Sequence, residues 1–128
     1  METKVTPLYV KTVAQKFDFK TIFLLDLSKR QISAVGAVVE CANLMQLDLS
    51  RNNLTNVTGL DKCVSLRILN LAYNKISKVS NLEACPDLQR LELQGNKVQS
   101  ASDLPAQLEK LEVLYLQDFD GSNANPIC

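Results

Sequence analysis

"LMQLDLSRNNLTNV", Leu44 to Val57, carries apolar residues at Leu44, Leu47, Leu49, Leu54 and Val57, in steps of 3, 2, 5 and 3. An amphipathic helix repeats at about 3.6 residues and a half-buried strand at about 2. Neither period survives across this stretch, so the chain must change direction within it. The same pattern returns at Leu66, Leu69, Leu71, Ile76 and Val79, and again at Leu88, Leu91, Leu93 and Val98, a period of 22 residues. One step back lie Ile22, Leu25, Leu27, Ile32 and Val35, and 23 residues beyond Leu88 the pattern resumes at Leu111, Leu114 and Leu116. Self-similarity of this length marks a stacked solenoid.

Elementary geometry agrees. Two leucines spaced L-x-L lie on one face of a strand, and the residues between and beside them face the other way. The backbone must then turn, and an Asn at the turn can satisfy backbone groups left unpaired there. One copy is too small to cover its own apolar residues, so stability has to come from stacking on neighbours.

The segments "LMQLDLSRNNL", "LRILNLAYNKI" and "LQRLELQGNKV" resemble the leucine-rich repeat, L-x-x-L-x-L-x-x-N-x-L, with Asn52, Asn74 and Asn96 in register. The resemblance is to the short 22-residue type found in a regulatory subunit of type-1 protein phosphatase. It implies an α/β solenoid: a right-handed coil with about five parallel strands on its concave face, 3₁₀ turns or short helices on its convex face, and an N-terminal capping helix. Arg30 in the first copy and Phe119 in the fifth stand where the Asn belongs, as expected of atypical terminal repeats.

The chain is expected to form one domain, with an N-terminal cap over 1–20, four repeats over 21–110, and a fifth partial repeat with an incomplete C-terminal cap over 111–128. Thr6 as N-cap and Pro7 at the first helical position predict a helix over 6–16. Leu8, Val13 and Phe17, with Tyr9 and Val10 nearby, would form the side that lies on the first coil. This stretch and the following "IFLLDLSKRQISAV" are similar to the N-terminal cap of an intracellular branch that includes the U2 small nuclear ribonucleoprotein A-prime subunit and ciliary and centrosomal members. "SNANPIC" resembles the start of that branch's C-terminal cap. The fifth strand is then a sheet edge open to self-association, to a partner or to the tail itself. "TGLD" at Thr58 and "SNLE" at Ser80 have the form of capping boxes that start convex turns; an acidic-directed phosphorylation site is the other reading.

The composition narrows the chemistry. Fourteen Lys and Arg balance fourteen Asp and Glu, which leaves no overall basic field, so no direct contact with nucleic acid is expected. The absence of histidine removes the commonest general base and neutral metal ligand. No enzyme, cofactor or metal role is expected. Neither a secretory leader nor a membrane-spanning stretch is read, which points to the cytoplasm, with the nucleus or a cilium and cytoskeleton association as variants. Cys41, Cys63 and Cys85 form a column of core residues without zinc-type C-x-x-C pairs. Their stacking would allow a disulfide, but the odd number and the compartment favour free thiols; Cys128 is expected exposed. Asn53 and Asn56 match glycosylation acceptors that stay empty outside the secretory route.

The outward positions of the strands form three columns. The first is Leu24, Gln46, Ile68, Arg90 and Val113; the second Asp26, Asp48, Asn70, Glu92 and Tyr115; the third Ser28, Ser50, Ala72, Gln94 and Gln117, with Tyr73 one step beyond. Apolar residues beside a row of carboxylates and tyrosines suit a basic amphipathic segment of another protein. The expected partner-binding residues are Leu24, Asp26, Asp48, Ile68, Tyr73, Arg90, Glu92, Val113 and Tyr115. A solvated sheet face with scattered apolar residues is the plainer alternative. Carboxylates for acid–base work or for a metal fit poorly, since open parallel strands offer no pocket.

Overall fold

A computed structural model of the chain describes residues 2–79, 82–104, 110–117 and 124–126. Ser80, Asn81, Phe119 and Cys128, which figure in the expectations above, lie outside the described residues. One helix, α1 (Pro7–Ala14), precedes five three-residue strands: β1 (Leu24–Asp26), β2 (Gln46–Asp48), β3 (Ile68–Asn70), β4 (Arg90–Glu92) and β5 (Val113–Tyr115). These form one parallel sheet in the order β1-β2-β3-β4-β5. The register is that of the repeat: Leu25, Leu47, Leu69, Leu91 and Leu114 are partners across the sheet. 3₁₀ turns at Gly36–Glu40, Leu60–Lys62, Leu82–Ala84 and Ala101–Asp103 carry the chain back over the convex side. The fold is a leucine-lined solenoid of the α/β kind.

The repeat leucines, from Ile22 and Leu27 through Leu91 and Leu93, are almost wholly buried in one continuous core, and Val98 is buried too. The Asn residues have the role that turn chemistry gives them. Nδ2 of Asn74 donates to Leu49 O (2.9 Å), Leu71 O (3.0 Å) and Ala72 O (3.3 Å), and its Oδ1 accepts Leu54 N (3.0 Å). Each such amide therefore links its own repeat to the one before. Asn52 and Asn96 bond in the same manner. The fourth rung is Asn125: it donates to Leu93 O (2.7 Å) and Leu116 O (2.8 Å), and accepts Val98 N (2.8 Å). The amide that serves the fifth repeat thus comes from Asn125 of the "NANP" segment, while Phe119 lies outside the described residues.

Other departures have physical reasons too. Thr6 caps α1 as expected, its Oγ1 accepting Tyr9 N at 3.1 Å. The face turned to the core is different, though: Val10 is buried and Tyr9, Val13 and Ala14 pack beside it, whereas Leu8 is 74% and Phe17 97% exposed. Val10, Val13 and Ala14 share one helical stripe. Leu8 sits off that stripe, and Phe17 lies past the left-handed residue Gln15 that ends the helix. The predicted Thr58 cap is also replaced, since Gly59 at φ 102 leads the Leu60–Lys62 turn and no side chain caps it. Arg30 fits the first coil by donating Nη1 to Tyr9 Oη at 3.2 Å on α1. The N-terminal tail pairs Thr3 with Ile32 and accepts Ala37 N on Val5 O at 2.8 Å. Gly36, at φ 60, admits that approach, because a Cβ there would lie 2.5 Å from Val5 O.

Because the amides serve buried carbonyls, Asn74→Asp, which keeps the shape and loses the donors, lowers urea-unfolding stability by about 3 kcal/mol or more. Asn125→Ala lowers it by about 2 kcal/mol, while a change at exposed Asn53 stays within about 0.5 kcal/mol.

Candidate functional site

The concave face follows from register. Leu24, Gln46, Ile68, Arg90 and Val113 are partners across the sheet, as are Asp26, Asp48, Asn70, Glu92 and Tyr115. Neighbouring members of each row therefore stand about 4.8 Å apart. Leu24 is 66% exposed, and Ile68 and Val113 are half-buried. A groove of about 330 Å³ lies over the first two strands, lined by Leu24, Leu25, Asp26, Gln46 and Asp48.

The acidic row has an internal role that spacing did not disclose. Asp26 Oδ1 accepts Ser28 N at 2.9 Å and Ser28 Oγ at 2.7 Å, and Asp48 Oδ1 accepts Ser50 N at 2.9 Å and Ser50 Oγ at 2.6 Å. Asn70 Oδ1 takes the same position, accepting Ala72 N at 3.0 Å. A short acceptor suits the first three positions of the row because the chain leaves the strand and exposes the N–H two residues on. The Ser28 hydroxyl and N–H hold the Asp26 carboxyl below its usual range. The third column is correspondingly less available, with Ser50 and Ala72 buried.

Beyond that column each of the first four repeats turns left-handed, with Lys29, Arg51, Tyr73 and Gly95 at φ 56, 57, 57 and 75. Gly95 leaves room for Tyr73, whose Cδ1 would meet an added Cβ at 2.5 Å. The Tyr73 ring lies under the Arg51 guanidinium, 4.1 Å from the centroid. At the far end Arg90 joins two expected site residues, pairing with Glu92 Oε2 at 3.4 Å and lying over the Tyr115 ring at 5.1 Å. Gln94 Oε1, beside them, is a buried side-chain oxygen without a partner among the described residues. Six of the nine expected residues thus fall in two clusters, Leu24–Asp26–Asp48 over the first strands and Arg90–Glu92–Tyr115 over the last. Ile68 and Val113 extend the apolar row, and Tyr73 is held at the rim.

On the convex side the three cysteines stack as a buried column of free thiols. Cys85 Sγ approaches Cys63 O at 3.3 Å and Leu60 O at 3.7 Å, and Cys63 Sγ approaches Val38 O at 3.5 Å. The position thus takes a small side chain that can also act as a weak donor. Burial pushes the thiols up, to about 11 for Cys41 and Cys85 and about 12 for Cys63, opposite to what a nucleophile or metal ligand needs. Among the described residues no group of three or more His, Cys, Asp or Glu is placed to hold a metal ion. No helix among them is long and apolar enough to cross a membrane.

With leucines, amides and strands in a common register, comparison with known families is direct. The family model for leucine-rich repeats in two copies matches residues 42–84 and 64–106, together just over half of the chain. The chain belongs to the leucine-rich-repeat family. A solved structure of internalin C2 from Listeria monocytogenes is similar at 28% identity and TM-score 0.66, over 74% of this chain and 42% of that one. A chain of the Drosophila melanogaster SNF/U2A' complex is similar at 29% identity and TM-score 0.67, over 81% of this chain and 59% of that one. This leucine-rich-repeat chain therefore spans about half the length of those neighbours. No curated protein matches significantly. Leucine-rich repeats of this kind are protein-interaction modules.

The thiol column gives a signed pH dependence. Thiols that titrate near 9.0 when unfolded and at about 11 to 12 when folded stabilise the fold fully below pH 9. That contribution is lost as pH rises toward those folded values, by about 1.4 kcal/mol per thiol per pH unit. Urea titrations across this range are expected to slope downward, less steeply in Cys63→Ala, and native Cys41, Cys63 and Cys85 resist alkylation until the chain is unfolded.

Proposed function

We propose that the chain is a non-catalytic adaptor, regulatory or assembly subunit that holds a protein partner on its concave face through a basic amphipathic segment of that partner. The observation that carries this reading is the exposed Leu24, followed by Ile68 and Val113 in one row, beside the carboxylates of Asp26, Asp48 and Glu92. Apolar side chains open to water on a sheet face gain by being covered. The adjoining carboxylates favour Lys or Arg on whatever covers them. Asp26, Asp48, Tyr73, Arg90, Glu92 and Tyr115 would supply polar and aromatic contacts, and recognition proceeds without turnover. Chain 1–128 acts as a single domain in this reading, with cytoplasmic or nuclear residence. In this reading the C-terminal side of the sheet would be a second contact surface, used by another copy.

A second reading, a structural subunit that holds an RNA-binding protein within a ribonucleoprotein particle, draws support from the similarity to a chain of the SNF/U2A' complex. Affinity capture with the native chain beside a D48N/Y73A/E92Q variant tests the surface. Asn already serves as a turn acceptor at position 70, so the asparagine substitution preserves that bond. Partner recovery is expected to fall about tenfold or more in the variant; equal recovery sinks the concave reading. Recovery of an RNA-binding protein after nuclease treatment favours the second reading over a general adaptor.

A further inference from the structure

Four of the six large apolar side chains left exposed among the described residues, Leu8, Phe17, Phe23 and Leu24, lie at the N-terminal end. They are joined by depressions. A groove of about 370 Å³ runs between Leu8 and Phe17, with Lys11 and Lys16 in its lining. A second, of about 220 Å³, shares Lys16 and continues past Phe23 to Leu24. Leu24 also lines the groove of about 330 Å³ over Asp26 and Asp48. Through Lys16 and Leu24, which they share, the three depressions follow one another as a trough from the outer side of α1 onto the concave sheet, with lysines lining the first and carboxylates the last.

We infer that this trough seats a single polypeptide segment of opposite polarity, with an apolar anchor and carboxylates over Leu8, Phe17, Lys11 and Lys16, and with Lys or Arg over Asp26 and Asp48. The inference rests on the concave-face reading and extends it to the cap. Charge complementarity selects the occupant. Among the described residues no carboxylate pairs with Lys16, and Lys11 lies over the Phe19 ring at 4.7 Å. The nearby Asp18 accepts Lys20 N to cap the turn that follows. An anionic lipid surface or a nucleic acid would satisfy the lysines and be repelled by Asp26 and Asp48. A ligand carrying both signs within one short length is a polypeptide. Phe17, at 97% exposure, has no packing role in the chain alone, and a hydrophobic anchor of a partner would cover it.

The test is selection of a displayed library of random linear peptides on the immobilised full chain, followed by affinity measurement of the selected peptides. Because Leu8 and Phe17 are exposed, Leu8→Ser and Phe17→Ser leave the fold intact, which thermal unfolding checks. Peptides with acidic and basic ends are expected, and their affinity falls roughly tenfold or more for F17S and for K16E. Replacing the peptide's acidic residues with lysine weakens binding to the native chain and restores it to K16E. If no selected peptide responds to F17S or K16E, the inference is overturned. Peptides that respond only to D48N and E92Q then leave the concave-face reading standing, and peptides that respond to none of these remove both. Phe17-dependent sedimentation with phosphatidylcholine vesicles containing phosphatidylserine, without any such peptide, also overturns the inference and makes the cap a membrane contact.

Discussion

Strands of three residues provide few ladder hydrogen bonds, and each turn that follows leaves buried carbonyls pointing into the coil. The side-chain amides of Asn52, Asn74, Asn96 and Asn125 meet that demand. Each accepts backbone N–H from the preceding repeat and donates to carbonyls of two repeats. A buried carbonyl without a donor costs about as much as several methylenes gain by burial, so these amides let the leucine core continue through the turns they serve. On the convex side the cysteine column plays a lesser part of the same kind, its thiols lying against carbonyls of the repeat before. The hydrophobic stack and the polar ladders are therefore one construction, and the flat concave rows exist because both keep the repeats in register.

Much of this was legible because side-chain direction in a strand depends only on parity. Leu47, Leu49, Leu69 and Leu71 could be placed inward, and the rows Leu24–Val113 and Asp26–Tyr115 outward, without coordinates. Less was legible where the chain leaves that rule. Left-handed residues at 29, 51 and 73 are a lysine, an arginine and a tyrosine, types that do not announce positive φ. The aspartates looked like ligand-binding groups because a pattern of carboxylates carries no sign of the serine two residues on that binds them. The packed side of α1 was misread because Leu8 and Phe17 are the larger side chains, whereas the stripe of Val10, Val13 and Ala14 decides which face can approach the coil closely.

Net charge conceals another pattern. From the left-handed residue of each of the first four repeats to the fifth residue after it, Lys29–Ala34, Arg51–Asn56, Tyr73–Lys78 and Gly95–Ser100, the sequence holds lysines and arginines and no acid. The carboxylates Asp26, Asp48 and Glu92 stand instead on the strands. A basic strip therefore runs beside the strand carboxylates although the net charge is zero, an arrangement that favours a partner carrying both signs.

Asn125 lies nine residues beyond Leu116, whereas Asn74 lies three beyond Leu71, yet both reach carbonyls in equivalent places. The coil is therefore indexed by which oxygens are answered and not by how many residues intervene. An amide nine residues past its strand leucine answers the same kind of carbonyl as one three residues past it, so the ladder sets no fixed spacing between the two.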